Sequence, residues 1–198
     1  TDRSQPFRSR MQPSTVFTIG HSTHPIEEFI ALLENNGVQQ LIDVRTVPGS
    51  RHNPQFGAQA LEESLTHAGL HYARMEELGG LRHTPVNVES INGAWRNKSF
   101  RSYADYMQTE PFARGIDRLI DRAKEKIVAI MCAEAVPWRC HRSLIADALL
   151  VRHISVKDIM SATSTKPHTL TSFASVDGQR VWYPPTNLEG QPSRPRGT

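Results

Sequence analysis

Apolar residues fall along this chain in short runs separated by glycines and polar turns, and the runs alternate between two spacings. Residues 16–20 (VFTIG) are an apolar run closed by glycine and predict a short buried strand. Ile26, Phe29, Ile30 and Leu33 then stand at i, i+3, i+4 and i+7, the stripe of an amphipathic helix. Thr23 is placed to cap it, Pro25 belongs in its first turn, and Gly37 suits its end. Residues 38–44 (VQQLIDV) predict a second strand running into Arg45. Strand, helix and strand with short connections make a βαβ unit, which implies a parallel pair and a right-handed crossover.

The alternation continues. Leu61, Leu65 and Ala68 mark a second helix stopped by Gly69, and residues 70–75 a third strand. Residues 78–98 then show no clear period. A connection of that length in a compact domain is expected to be a functional lid or disordered, and Trp95 argues for at least partial packing. Ser99 is placed to cap a helix carrying Phe100, Tyr103, Ala104 and Met107, and Pro111 opens another with Phe112, Ile116, Leu119, Ile120 and Ala123 on one face. Residues 127–132 (IVAIMC) are nearly all apolar, as a central parallel strand covered on both faces would be. Residues 140–151 predict the following helix, with Leu144, Ile145, Ala148 and Leu149 inward, and 155–160 a last parallel strand. Within 173–183, the run Val176-Asp177-Gly178-Gln179 predicts a hairpin turn. The pattern gives a single α/β domain over 16–184, with a basic N-terminal tail (1–15) and a Pro- and Gly-rich C-terminal tail (185–198), both expected to be disordered.

Composition changes this picture little. With 198 residues the chain is long enough for one full core, and 38% hydrophobic and 22% charged residues are ordinary for a globular protein. No apolar run approaches the roughly 20 residues that cross a bilayer, and the polar, basic start does not read as a secretory signal. A cytoplasmic protein is expected. The net charge of +3 sits in the tails. Arg3, Arg8 and Arg10 against Asp2, and Arg194 and Arg196 against Glu189, account for all of it. A nucleic-acid footprint is normally a basic face of the folded domain, so this charge supports nucleic-acid binding only weakly. The two cysteines, Cys132 and Cys140, are too few for a disulfide scaffold and are expected to be free thiols, although they could meet across one loop.

Open parallel sheets bind ligands outside the carboxyl ends of their strands. Here those ends deliver His21 and Ser22, Asp43 and Arg45, and Cys132 and Glu134. Cys140, His141 and Arg142 begin the helix that returns from the same edge. A helix start offers unpaired N–H groups and partial positive charge, which favour an anion or a thiolate. Arg45 and Arg142 are candidate clamps for carboxylate or phosphate. Each residue also has an ordinary structural reading. Cys132 would fill apolar space, Asp43 would pair with Arg45, His21 would satisfy backbone, and Glu134 would be a solvated carboxylate. A zinc site of Cys132, Cys140 and either His21 or His141 is a further alternative, though its spacing matches no zinc pattern. The P-loop and dinucleotide fingerprints are absent, and no cofactor is firmly implied.

Several runs together resemble a known bacterial family, the domain of unknown function 488. They are Thr18-Ile19-Gly20-His21-Ser22, Asp43-Val44-Arg45 with Pro48 and Ser50-Arg51, Leu78-Gly79-Gly80, Phe100 with Tyr103, and Cys132-Ala133-Glu134 followed by Cys140-His141-Arg142. The resemblance spans about 16–184. It implies an α/β, Rossmann-like three-layer sandwich with a mostly parallel central sheet, and it carries no established activity.

The expectation from these residues is an enzyme, a hydrolase or transferase acting on an anionic small molecule such as a nucleotide-like one. Cys132 or Cys140 would be the nucleophile, Glu134 an acid/base, and His21 and Asp43 would orient or relay protons. Ser22, Arg45, Arg51, Gly79, Gly80, His141 and Arg142 would bind the ligand. The alternatives are a metal or thiol-redox binding module and a nucleic-acid-associated protein using the basic tails.

Overall fold

A computed structural model describes residues 15–49, 51–84 and 87–185. In chain order the elements are β1 (Thr15–Gly20), α1 (Ile26–Asn35), β2 (Gln40–Asp43), α2 (Ala58–His67), β3 (His71–Arg74), α3 (Lys98–Tyr106), α4 (Glu110–Glu125), β4 (Val128–Cys132), α5 (Arg142–Leu150), β5 (Ser155–Ser161), β6 (Ser164–Pro167), β7 (Ser175–Asp177) and β8 (Arg180–Trp182). Strands β3-β2-β4-β1-β5-β6 form one sheet in that order, parallel except for β6, and β7 and β8 pair as a separate hairpin.

Alternation along β4 shows why this is a three-layer sandwich. All five of its residues are buried. Ala129 and Met131 pack with Phe29 and Leu33 of α1 and with Leu61 and Leu65 of α2. Val128 and Ile130 pack on the other face with Ile116 and Leu119 of α4 and with Leu144 and Ile145 of α5. Helices therefore cover both faces, and each buried Leu or Ile adds about 1.5–3 kcal/mol of apolar burial. The fold is the Rossmann-like α/β sandwich that the motifs implied.

Departures from the sequence reading are local. Helix α1 begins at Ile26 with Pro25 rather than Thr23 in the cap position and no side-chain cap, while Gly37 closes it at φ +67°. Asn97, not Ser99, caps α3, accepting from the Ser99 and Phe100 N–H groups. Helix α5 starts at Arg142, after a 3-10 turn at Pro137–Arg139, so Cys140 and His141 precede it. The edge strand β6 has no counterpart in the apolar pattern. An edge needs no apolar run, and Lys166 and Pro167 are residues that guard an edge against further pairing. The hairpin turns at Gly178, φ +56°, as the sequence indicated. Apart from Thr15 and Pro185, the two expected tails lie outside the described residues. Among the described residues no helix is long and apolar enough to cross a membrane.

Candidate active site

Register places three strand ends together: Gly20 pairs with Cys132 across β1 and β4, and Asp43 with Met131 across β2 and β4. The ladder runs on briefly past β1, where the His21 N–H donates to the Cys132 carbonyl and the Ser22 N–H to that of Ala133, both at 3.0 Å. The segment leaving β4 then passes directly over Gly20. A Cβ there would overlap the Glu134 carbonyl oxygen, so only glycine admits the crossing.

That crossing segment folds back through the 3-10 turn and brings the Cys140 sulfur against that of Cys132, with the two Cα atoms 7.5 Å apart, wider than a disulfide normally spans. The two thiols thus meet across one loop, as their spacing allowed. Cysteine number and compartment say nothing about a local pair, and a short turn made this one. Both residues are nearly buried, 3% and 4% exposed. Their surroundings differ. Cys140 Sγ lies 3.5 Å from His141 Nδ1 and accepts from the Arg142 N–H at 3.5 Å, at the start of α5. Cys132 Sγ faces the Glu134 carbonyl oxygen at 3.9 Å.

His141 is held in one orientation. Its Nε2 lies 2.9 Å from the Val44 carbonyl, which fixes that nitrogen as the N–H donor and leaves the Nδ1 lone pair for Cys140. The Tyr103 ring packs against it with centroids 5.0 Å apart. Burial pushes the His141 pKa down to about 4, helped by the nearby Arg142 and Arg82 charges and opposed by backbone interactions with Val44 and Leu78, so the ring is neutral at pH 7.

On the other side of β4, Asp43 is wholly buried and accepts from the Arg45 N–H at 3.0 Å, Nε at 2.9 Å and Nη2 at 2.7 Å, and from the Tyr72 hydroxyl at 2.7 Å. The third guanidinium nitrogen, Nη1, reaches His21 Nε2 at 3.3 Å. His21 Nδ1 donates to the Ser22 carbonyl at 2.9 Å, and the ring stacks on Phe56 at 4.3 Å. Burial first, and then Arg45, lowers the His21 pKa. Asp43 and His21 thus aim Arg45.

A cavity of about 380 Å³ opens between these groups. Of the residues expected at the site, Cys132, Glu134, Cys140, Arg45, Gly80 and His141 line it. His21 and Asp43 stand behind Arg45. Ser22 and Gly79 shape adjoining backbone, Ser22 at φ +47°. Arg51 is exposed and does not reach the cavity. Arg142 does not line it either. Its guanidinium is 1% exposed and donates to the Glu134 carbonyl at 2.7 Å and to Thr18 Oγ1 at 3.4 Å. Thr18 in turn donates to Asp158 Oδ1 at 2.5 Å. Burial lowers the Arg142 pKa to about 10, against the opposing charges of Asp158 and Glu134. Its Nε has no hydrogen-bond partner among the described residues.

The structure adds residues the sequence reading missed. Arg139 lines the cavity, exposed and without an ion pair among the described residues. Val47 and Leu81 form an apolar wall with Phe100. Behind Arg142, Asp158 neighbours His168, which bonds to Asp147 at 2.9 Å. A buried carboxylate at an inward position of β5 demands partners, and that was the available signal for Asp158. Among the described residues no group of three or more His, Cys, Asp or Glu side chains is placed to hold a metal, so the zinc set is not assembled. A larger cavity of about 660 Å³ lies between residues 81–84, 88–91 and α3 and holds neither cysteine.

A doubly covered parallel sheet with a cysteine-bearing cavity at its carboxyl edge defines a Rossmann-like α/β protein with a candidate thiol site. The chain belongs to the family described as Domain of unknown function DUF488, whose signature matches residues 25–149, more than half of its length. The match is shorter than the 16–184 suggested by the motifs, and His21 and Ser22 lie just before it. Nothing among curated proteins or solved structures matches the chain.

Proposed function

We infer that this protein is a cytoplasmic enzyme, a hydrolase or transferase that uses the reduced Cys140 thiol on an anionic small molecule. The observation that carries this reading is the Cys140–His141 contact. One imidazole nitrogen is anchored on Val44, and the other presents its lone pair to a sulfur that also receives a helix-start N–H. This is the arrangement of an activated nucleophile and an oriented base. In the reaction, Cys140 Sγ attacks the electrophilic centre and its proton passes to His141 Nδ1. The protonated His141 returns this proton to the leaving group, and Glu134, exposed on the cavity wall, serves as acid/base for the second reactant. Arg139 and Arg45 face the anion. The wall of Val47, Leu81 and Phe100 suits an apolar or planar portion of the ligand, as a nucleotide-like molecule would have.

Two reagents of similar size test the reading. The reduced protein is alkylated at Cys140 with iodoacetate and with iodoacetamide, and each rate is divided by that of free cysteine. Relative preference for the anionic reagent is expected in the native protein, with its loss in Arg139→Gln. Equal relative rates in the two proteins would contradict the reading, as would turnover of any anionic ester that survives Cys140→Ser.

A further inference from the structure

The two sulfurs at the floor of the cavity have opposite surroundings, and this divides labour between them. Cys140 Sγ receives the Arg142 N–H and faces the His141 Nδ1 lone pair, so its proton has somewhere to go and the anion left behind is stabilised. Cys132 Sγ faces the Glu134 carbonyl oxygen, which accepts an S–H and repels a thiolate. Cys132 is also the fixed partner, set in the central strand with its own carbonyl bonded to the His21 N–H. Cys140 lies on the turn that precedes α5. The sulfurs are in contact in the structure, and their Cα separation of 7.5 Å must close slightly for a bond to form; a cytoplasmic setting keeps such a pair reduced, and disulfides that form there are as a rule transient and catalytic or sensing. Both residues are at most 4% exposed, and the cavity above them holds about 380 Å³, so an oxidant must be small to reach them.

We propose that Cys132 and Cys140 are a reversible dithiol–disulfide couple through which this cavity reduces small hydroperoxides, with Cys140 oxidised first and Cys132 resolving it. The proposal rests on the same activated Cys140 as the reading above, but not on an anionic substrate. The Cys140 thiolate attacks one peroxide oxygen, the O–O bond breaks, and the departing oxygen takes the proton held at His141 Nδ1 and leaves as an alcohol or water. Cys140 is now a sulfenic acid. The Cys132 sulfur attacks the Cys140 sulfur, the S–O bond breaks, and the hydroxyl leaves with the Cys132 proton as water. A low-molecular-weight thiol restores both cysteines and is itself oxidised to its disulfide. The net change is one hydroperoxide and two thiols converted to one alcohol, one water and one disulfide.

The experiment uses the full chain, reduced and freed of reductant, then treated with equimolar hydrogen peroxide in the presence or absence of dimedone, which traps sulfenic acids. Peptide mapping reads the products. The native protein is expected to form the Cys132–Cys140 disulfide at least about tenfold faster than free cysteine is oxidised. Cys132→Ser should carry the dimedone adduct on Cys140, and Cys140→Ser should react at the rate of free cysteine. Oxidation of Cys132 before Cys140, or a native rate no greater than that of free cysteine, would overturn the proposal. If a serine variant does not fold, limiting peroxide on the native chain decides alone. A first adduct on Cys140 supports the assignment and one on Cys132 refutes it. Oxidised glutathione in place of peroxide gives a separate arm: faster disulfide formation with it than with peroxide would overturn the hydroperoxide assignment. Loss of the anion preference with the peroxide cycle intact would remove the hydrolase or transferase reading alone, and the converse would remove only this one.

Discussion

Gly80 stands so close to His141 that a Cβ at position 80 would lie 2.5 Å from the imidazole Nδ1. The contact joins the irregular segment after β3 to the base that faces Cys140, at the nitrogen on which the proposed chemistry depends. Gly80→Ala is expected to push the ring off its anchor at Val44 and to slow Cys140 alkylation about tenfold, with a stability loss of about 1–3 kcal/mol from overpacking. Alkylation kinetics beside a urea titration would check both. Loss of stability with unchanged kinetics would show that the ring position does not matter to the thiol.

His141 should report the redox state of its neighbour. In the disulfide form its pKa is lowered to about 4, below the 6.5 of an unfolded histidine, so between those values the unfolded chain binds more protons. The residue therefore removes stability as pH falls from 6.5 through 4. Reduction places an ionisable sulfur 3.5 Å away, and a thiolate there favours the protonated ring. Imidazole NMR titrations of the two forms should show the pKa rising on reduction. Identical titrations would mean that the thiol does not interact with Nδ1.

His168 has the opposite sign. Burial alone would lower its pKa, but hydrogen bonds and charge from Asp147 and Asp158 outweigh this and raise it to about 9. Between 6.5 and 9 the folded chain binds the extra proton. The contribution is complete below pH 6.5 and is lost as pH climbs through 9, a difference of about 3 kcal/mol. Urea midpoints of the native protein should fall over that window. His168→Gln should be less stable at pH 6 and nearly flat across it. A parallel fall in the variant would assign the effect to another group.

Asp43 and Arg45 form a buried pair, and removing one partner leaves a buried charge uncompensated. Asp43→Asn is expected to cost about 3–5 kcal/mol, whereas replacing both with apolar residues should cost less than the sum of the single changes. A double-mutant cycle measured by urea unfolding tests this. Additive losses would mean that the two side chains do not act as a unit.

The backbone plan was legible in the residues because burial on both faces leaves a period that can be read directly. Residues 16–20, 38–44 and 127–132 became β1, β2 and β4, and the rule that ligands gather at strand ends placed Cys132, Arg45 and Glu134 around one cavity. What the period cannot show is where a long side chain goes. Arg142 sits at a helix start, where an anion clamp was expected, but its first-turn position faces inward and its guanidinium is used on Glu134 and Thr18. Arg139 lies in the turn just before it, has no period to mark it, and reaches the cavity instead. The meeting of the cysteines likewise depends on how residues 133–139 fold back, a path that Gly20 on the neighbouring strand, remote in sequence, leaves open.

Competitive labelling of the reduced native protein with limiting iodoacetamide at pH 7, read separately at each cysteine, bears most directly on the assignment of Cys140 as the activated sulfur. Cys140 should be alkylated at least about tenfold faster than Cys132 and faster than free cysteine. Equal labelling of the two, or Cys132 labelled first, would contradict it.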